Sequence, residues 1–223
     1  YTTINVYWLT VDASVPGPRM ALGTAVGGAL PVAQPFRTVV HAEQDTVYWQ
    51  NMLTPNAHED RWFWEPRLSL ATAGYPATRL YTVTLASLAP NPPTPPTLRV
   101  KLKGFTNANH LTQLYINDHA AGPAFTWTGQ VEYTHTVPIE ADWLKAGHNF
   151  VRVEVRPGAT PPGGLPDEIL VNWVEIEHPR TYRAAGDTIH FAPPAAGKLR
   201  FDLDGFTAPA ITVLDVTDVR TPR

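Results

Sequence analysis

Between Leu98 and Glu177 apolar and polar residues alternate in short runs. In LRVKLKG, Leu98, Val100 and Leu102 alternate with Arg99, Lys101 and Lys103. A period of two puts apolar groups on one face and charge on the other, which predicts a half-buried strand. LYIND, FTWTGQVEYTHTVPI, LKAGHNFVRVEV and ILVNWVEIE follow, separated by turn-formers at Asn117-Asp118, Gly129, Gly147 and the Pro/Gly-rich 157–166. Such a series predicts an all-β sandwich of the jelly-roll kind. Leu98, Val100, Leu102, Val151, Val153, Val155, Leu170, Val174 and Ile176 are its expected core.

Upstream, FRTVVHAEQD and RLYTVTL read as further strands, and PNPPTPPT (Pro90 to Thr97) as an exposed connection, because proline cannot serve a central strand. Ala141 to Gly147 has an acidic start and a terminating glycine, which predicts a single helical turn. The chain ends add INVYWL (Ile4–Leu9), a turn at Val15 to Met20, and three expected strands, TIHFA, KLRFDLDG and ITVLDVTD. Leu199, Phe201 and Leu203 alternate with charge, so that face needs a cover. These patterns divide the chain into a sandwich at 36–180 and an accessory β-lobe built from 1–35 plus 181–223. Ile4–Leu9 is expected in the same lobe as Leu199–Leu203.

Composition narrows the function. The 223 residues suffice for a full core, and 23 prolines, about twice the usual share, suit many short strands rather than long helices. A net charge of −3 provides no basic field for nucleic acid, and no apolar run is long enough for membrane insertion. With no cysteine, thiolate metal sites and a cysteine nucleophile are excluded within these residues. The chain starts at Tyr1, which reads as a piece of a longer protein.

Chemical motifs are sparse. His58-Glu59-Asp60 lacks the H-E-x-x-H spacing of a metalloprotease helix, and Pro55 and Asn56 place it in a turn. The eight histidines show no ligand spacing, and GTAVGG (Gly23 to Gly28) is no phosphate loop. Aromatic rings near strand ends are the better candidates, because flat rings stack on the apolar faces of sugars. Trp127, Tyr115 and Trp143 occupy such places. Against that reading, Trp127 suits core or rim packing, Trp143 suits a plug for the sandwich end, and Trp8 and Trp173 read as core. Asn107 to Asn109, Asn117-Asp118 and Asp167-Glu168 offer oxygens to a structural calcium, without a full ligand set in view. No other cofactor is expected.

Two levels of resemblance follow from these residues. LYIND, the W-x-G turn, VPIEADWLKAGHN and VNWVEIE resemble the galactose-binding-like jelly roll of many extracellular bacterial proteins. NVYWL (Asn5–Leu9), EQD with HEDRWFWE (Glu43–Asp45, His58–Glu65), VNWVEIEHPR (Val171–Arg180) and ITVLDVTDVRTP (Ile211–Pro222) resemble the β-region preceding the catalytic domain of gingipain-type cysteine peptidases and their cell-surface sortase-type relatives. The resemblance implies a secreted or cell-surface location and a non-catalytic, monomeric domain. Its partner would be a C-terminal peptidase domain of the same chain, with a glycan or surface protein as a further ligand. The alternative is a carbohydrate-binding module attached to an unrelated extracellular enzyme.

Overall fold

A computed structural model describes residues 28–50, 60–158 and 164–217. The expectations at Ile4–Leu9, Trp8, Val15 to Met20 and His58-Glu59 lie outside the described residues. Within them the protein is an antiparallel all-β sandwich, with a 3-10 turn at Ala141–Trp143. That turn falls where the sequence predicts it.

The first sheet holds β1 (Phe36–Glu43), β12 (Glu168–Arg180), β6 (Thr97–Gly104) and β10 (Glu132–Pro138) in that order, with β4 (Leu68–Ser69) also pairing with β12. The second holds β5 (Thr78–Leu85), β11 (Gly147–Val155), β7 (Asn109–Ile116) and β8 (His119–Ala120), with β9 (Phe125–Thr128) on β7. A two-stranded ribbon joins β2 (Val47–Tyr48) to β3 (Trp62–Phe63). Each sheet turns one apolar face inward, and two such faces bury each other.

All nine expected core residues are buried. Eight of them belong to the inter-sheet cluster, and Leu170 does not. A β-bulge between Val171 and Trp173 explains the exception. The extra residue reverses the alternation, so Ile169 and Val171 face the core before the bulge and Val174 and Ile176 after it. The same shift corrects the expectation for Trp173, which is half-buried 5.6 Å from the His41 ring. Around it runs a ladder of ion pairs across β1, β12 and β6: Arg37–Glu177, His41–Glu175 and Arg99–Glu175.

The segment after β12 differs from expectation. TIHFA and KLRFDLDG form only isolated bridges, Val32 with Arg200, Arg183 with Asp204 and Ala185 with Thr188, and Ile211 to Val216 runs as irregular backbone. Apolar alternation asks for a cover, and aromatic packing provides it without a ladder. Ala33, Phe36 and Tyr182 form a small second core against which Phe191, Leu199, Phe201 and Leu203 pack. Residues 30–207 make one compact unit.

Candidate ligand-binding site

The connections β5–β6, β7–β8 and β10–β11 gather at one end of the sandwich. Asn117 and Asp118 link β7 to β8 with φ of 46° and 70°, the pair of positive values that a tight two-residue hairpin needs and that Asn and Asp tolerate. The side chain of Asn117 then reaches across the end. Its Oδ1 accepts from Phe150 N–H at 2.9 Å, while Nδ2 donates to the Trp143 carbonyl and to Asn149 Oδ1, both at 2.8 Å.

Asn149 is fully buried. Its Nδ2 donates to the Lys145 and Gly147 carbonyls at 2.7 and 3.0 Å, and its Oδ1 also accepts from Lys145 N–H at 3.0 Å. Two asparagines thus tie the loop carrying Trp143 to the hairpin carrying His119. The consequence is a stack in which the Trp143 and His119 rings lie 4.9 Å apart and 3° from parallel. Trp143 is half-buried and His119 exposed. Beside them Asn91, Pro92, Glu140, Ala141, Asp142 and Trp143 line a shallow, open hollow of about 500 Å³. A half-buried ring edged by amide and carboxylate groups can stack its open part on an apolar ligand face and hydrogen-bond its rim.

The other expected rings lie elsewhere. Trp127 is 5% exposed, which corrects the expectation of an open ring at a loop tip. Pairing of β9 with β7 sets Trp127 opposite His110 and so turns it inward. Its Nε1 donates to Thr112 Oγ1 at 3.2 Å, and its ring packs on His110 at 4.1 Å and Tyr133 at 5.3 Å. Tyr133 leads on to His135 and Phe125, whose rings lie 3.5 Å apart. Burial lowers the pKa of His135. Tyr115 faces outward on the second sheet, with the Arg152 guanidinium 3.4 Å over its ring. It does not line the hollow.

Several of the oxygens considered for calcium, those of Asn109, Asn117, Asp167 and Glu168, are engaged by protein donors. Asp167 bridges His110 Nδ1 (2.7 Å) and Leu111 N–H (3.0 Å), and Glu168 accepts from Thr72 Oγ1 at 2.5 Å and faces Arg67. Asn109 Oδ1 accepts from Thr128 Oγ1. Among the described residues no group of three or more His, Asp or Glu side chains converges as a metal site. These loops therefore do not fit a calcium ion as they stand.

Sequence reading missed His119 and the structural reach of Asn149. Asn117 was legible as a turn residue, but its side chain acts on groups far along the chain, which a local pattern does not carry. Among the described residues no helix is long and apolar enough to cross a membrane.

No protein-family model matches the chain, and no curated protein does. Among solved structures, a segment of dimeric latent PorU from Porphyromonas gingivalis is similar at TM-score 0.52 and 10% identity, over 80% of this chain and 16% of that one. The CBM36-1 domain of a multidomain xylanase from the hindgut metagenome of Trinervitermes trinervoides aligns at TM-score 0.36 and 15% identity, over 63% of this chain and 95% of that one. A carbohydrate-binding module CBM36 in complex with calcium and xylotriose aligns at 0.32 and 13%, over 49% and 87%. At these identities the PorU likeness is one of fold, an antiparallel β-sandwich within a much longer chain.

Proposed function

We propose that this chain is a non-catalytic recognition and platform domain of a secreted or cell-surface bacterial peptidase of gingipain type, and that it takes a glycan at the Trp143 hollow. The observation that carries the glycan reading is the Trp143 ring, held open at the sandwich end by Asn117 and Asn149 and stacked on His119. The peptidase context rests on the four sequence segments resembling gingipain-type proteins, and the PorU fold likeness is consistent with it. In that setting the domain acts as a monomeric rigid block that orients a C-terminal peptidase domain of the same chain. The runner-up is a carbohydrate-binding module on an unrelated extracellular enzyme. It shares the glycan site and differs in what the parent chain encodes: His and Cys motifs in an α/β pattern after this region favour the peptidase.

One shallow stack with a few hydrogen bonds, offset by the cost of association, gives weak affinity, on the order of 0.1–1 mM. Glycan-array screening followed by calorimetric titration is the test. Binding that disappears in Trp143→Ala supports the site, and an array with no hits removes the glycan reading. The purified domain is expected not to cleave casein or Arg/Lys peptides. Turnover surviving repurification would place chemistry within it.

A further inference from the structure

Residues 211–216 have the composition of a strand without a strand beside them among the described residues. Ile211, Thr212, Val213 and Val216 are β-branched, which favours extended backbone. Ile211, Val213, Leu214 and Val216 are 51%, 71%, 47% and 52% exposed. Neither a bridge nor a backbone hydrogen bond joins any of these four to another described residue. Asp215, between them, is engaged. Four open apolar side chains in one six-residue run form a template for another extended segment.

The neighbouring apolar run, residues 199–203, has its partners already. Leu199, Phe201 and Leu203 pack on Ala33, Phe36 and Tyr182. Arg200 N–H donates to the Pro31 carbonyl at 2.9 Å, and its own carbonyl accepts from Ala33 N–H at 2.8 Å. Asp204 bonds in the same way to Tyr182 and Ala184. A strand at residues 4–9 would compete there with groups in place. Tyr1–Ala29 and Ala208–Arg223, by contrast, form one compact unit. Residues 4–9, INVYWL, match the open run in length and in β-forming character.

We infer that residues 4–9 and 211–216 pair as strands, closing the two ends of this chain on each other. Pairing satisfies the backbone donors and acceptors of both runs, and their apolar side chains cover one another in part. The chain after Val216 then leaves from a paired strand rather than a loose linker. The glycan reading is not needed for this.

The test is amide hydrogen exchange on the full 223-residue chain. Amides of residues 211–216 are expected to exchange about 100-fold more slowly than in an unstructured chain. Successive N–H groups point to opposite sides of a strand, so the double variant Val6→Pro, Tyr7→Pro removes a ladder donor whichever side is paired. It should return residues 211–216 to the unstructured rate and leave the amides of β6 and β11 protected as before. The absence of cysteine gives a second readout. Val6→Cys is combined in turn with a cysteine at each position from 211 to 216, and separately with Phe201→Cys. A disulfide needs Cβ atoms about 4 Å apart, so only positions facing Val6 link. A link within 211–216 and none to position 201 is expected. Exchange of residues 211–216 at the unstructured rate in the wild type overturns the inference. Protection that survives the double proline variant overturns it too, as does protection that rises with protein concentration, because a second copy is then the cover. A link to position 201 with none to 211–216 overturns it in favour of the neighbouring run.

Discussion

Two of the tryptophan–histidine pairs, Trp127 with His110 and Trp143 with His119, differ in surroundings, and their contrast explains why ring-bearing motifs mislead. Trp127 and His110 lie between the sheets, with rings 4.1 Å apart. The Trp127 indole donates to Thr112, while the His110 nitrogens face Asp167 and the Gly129 carbonyl. Trp143 and His119 form the same kind of pair at the opposite end, nearly parallel, with Trp143 half-buried against the margin of the core and His119 exposed. A buried ring with every polar atom engaged is a packing element. A half-open ring with its backbone fixed and its face beside a hollow is available to a ligand.

The largest expected effect comes from the closed pair. Trp127→Ala should cost about 3–5 kcal/mol in urea unfolding, as large-to-small changes at buried aromatic positions do. A cost under about 1 kcal/mol would erase the distinction between the two pairs.

Gly104 tests the same corner from the other side. A Cβ there would sit 2.0 Å from the Gly129 carbonyl oxygen and 2.7 Å from His110 Nε2. The first is backbone and cannot swing aside, so Gly104→Ala should cost about 3 kcal/mol through displacement of the Gly129 turn. A wild-type melting curve would show that the turn has room to move.

Asn149→Ala probes the scaffold of the open pair. It leaves the Lys145 and Gly147 groups without their side-chain partner, a loss of about 2 kcal/mol. If the asparagines hold Trp143 in place, glycan affinity should fall at temperatures well below the melting transition. Unchanged affinity would mean that the ring needs no such positioning.

Acid sharpens the contrast by a smaller amount. Burial lowers the pKa of His135, in the ring series with Trp127, from its ordinary 6.5. The unfolded chain therefore binds the proton more readily than the folded one. The stability that neutral His135 contributes is present above pH 6.5 and is lost as the pH falls from there through its lowered folded value. His178, also lowered by burial and by Arg180 and Arg37 against an opposing hydrogen bond to Pro179, tilts stability the same way. His41 runs the other way: burial opposes its charge, but hydrogen bonds and charges from Glu175 and Glu43 win and raise its pKa. The readout is accordingly the difference between wild type and His135→Phe, whose urea-midpoint profile should be flatter on the acid side. Identical profiles would remove His135 from the account.

The smallest stability effect belongs to Trp143→Ala, under about 1 kcal/mol, because a half-open ring leaves no closed cavity behind. A loss comparable to that of Trp127→Ala would make Trp143 a plug for the sandwich end rather than a platform.

How far these features could be read from the chain depends on their range. Alternation at Leu98–Leu102 and Val151–Val155 reports a strand's buried face directly, because successive side chains leave a strand on opposite sides. Positive φ at Asn117, Asp118, Gly129 and Gly147 was likewise legible, since few other residues accept it. Alternation failed at the Val171/Trp173 bulge, where one extra residue reversed inside and outside. It also failed at Leu199–Leu203, which is covered by rings without being paired as a strand.

Local backbone preference and a period of two are enough to specify the all-β class, the turns and most of the core. Which tryptophan is open follows instead from long-range packing. Trp127 and Trp143 both stand a few residues before a glycine, Gly129 and Gly147. Trp127 is closed by a register that sets it against His110 on β7. Trp143 is left open by hydrogen bonds from Asn117, 26 residues earlier in the chain. Pairing registers and side-chain reach across loops are long-range properties, and a side chain's exposure depends on them more than on its neighbours in sequence.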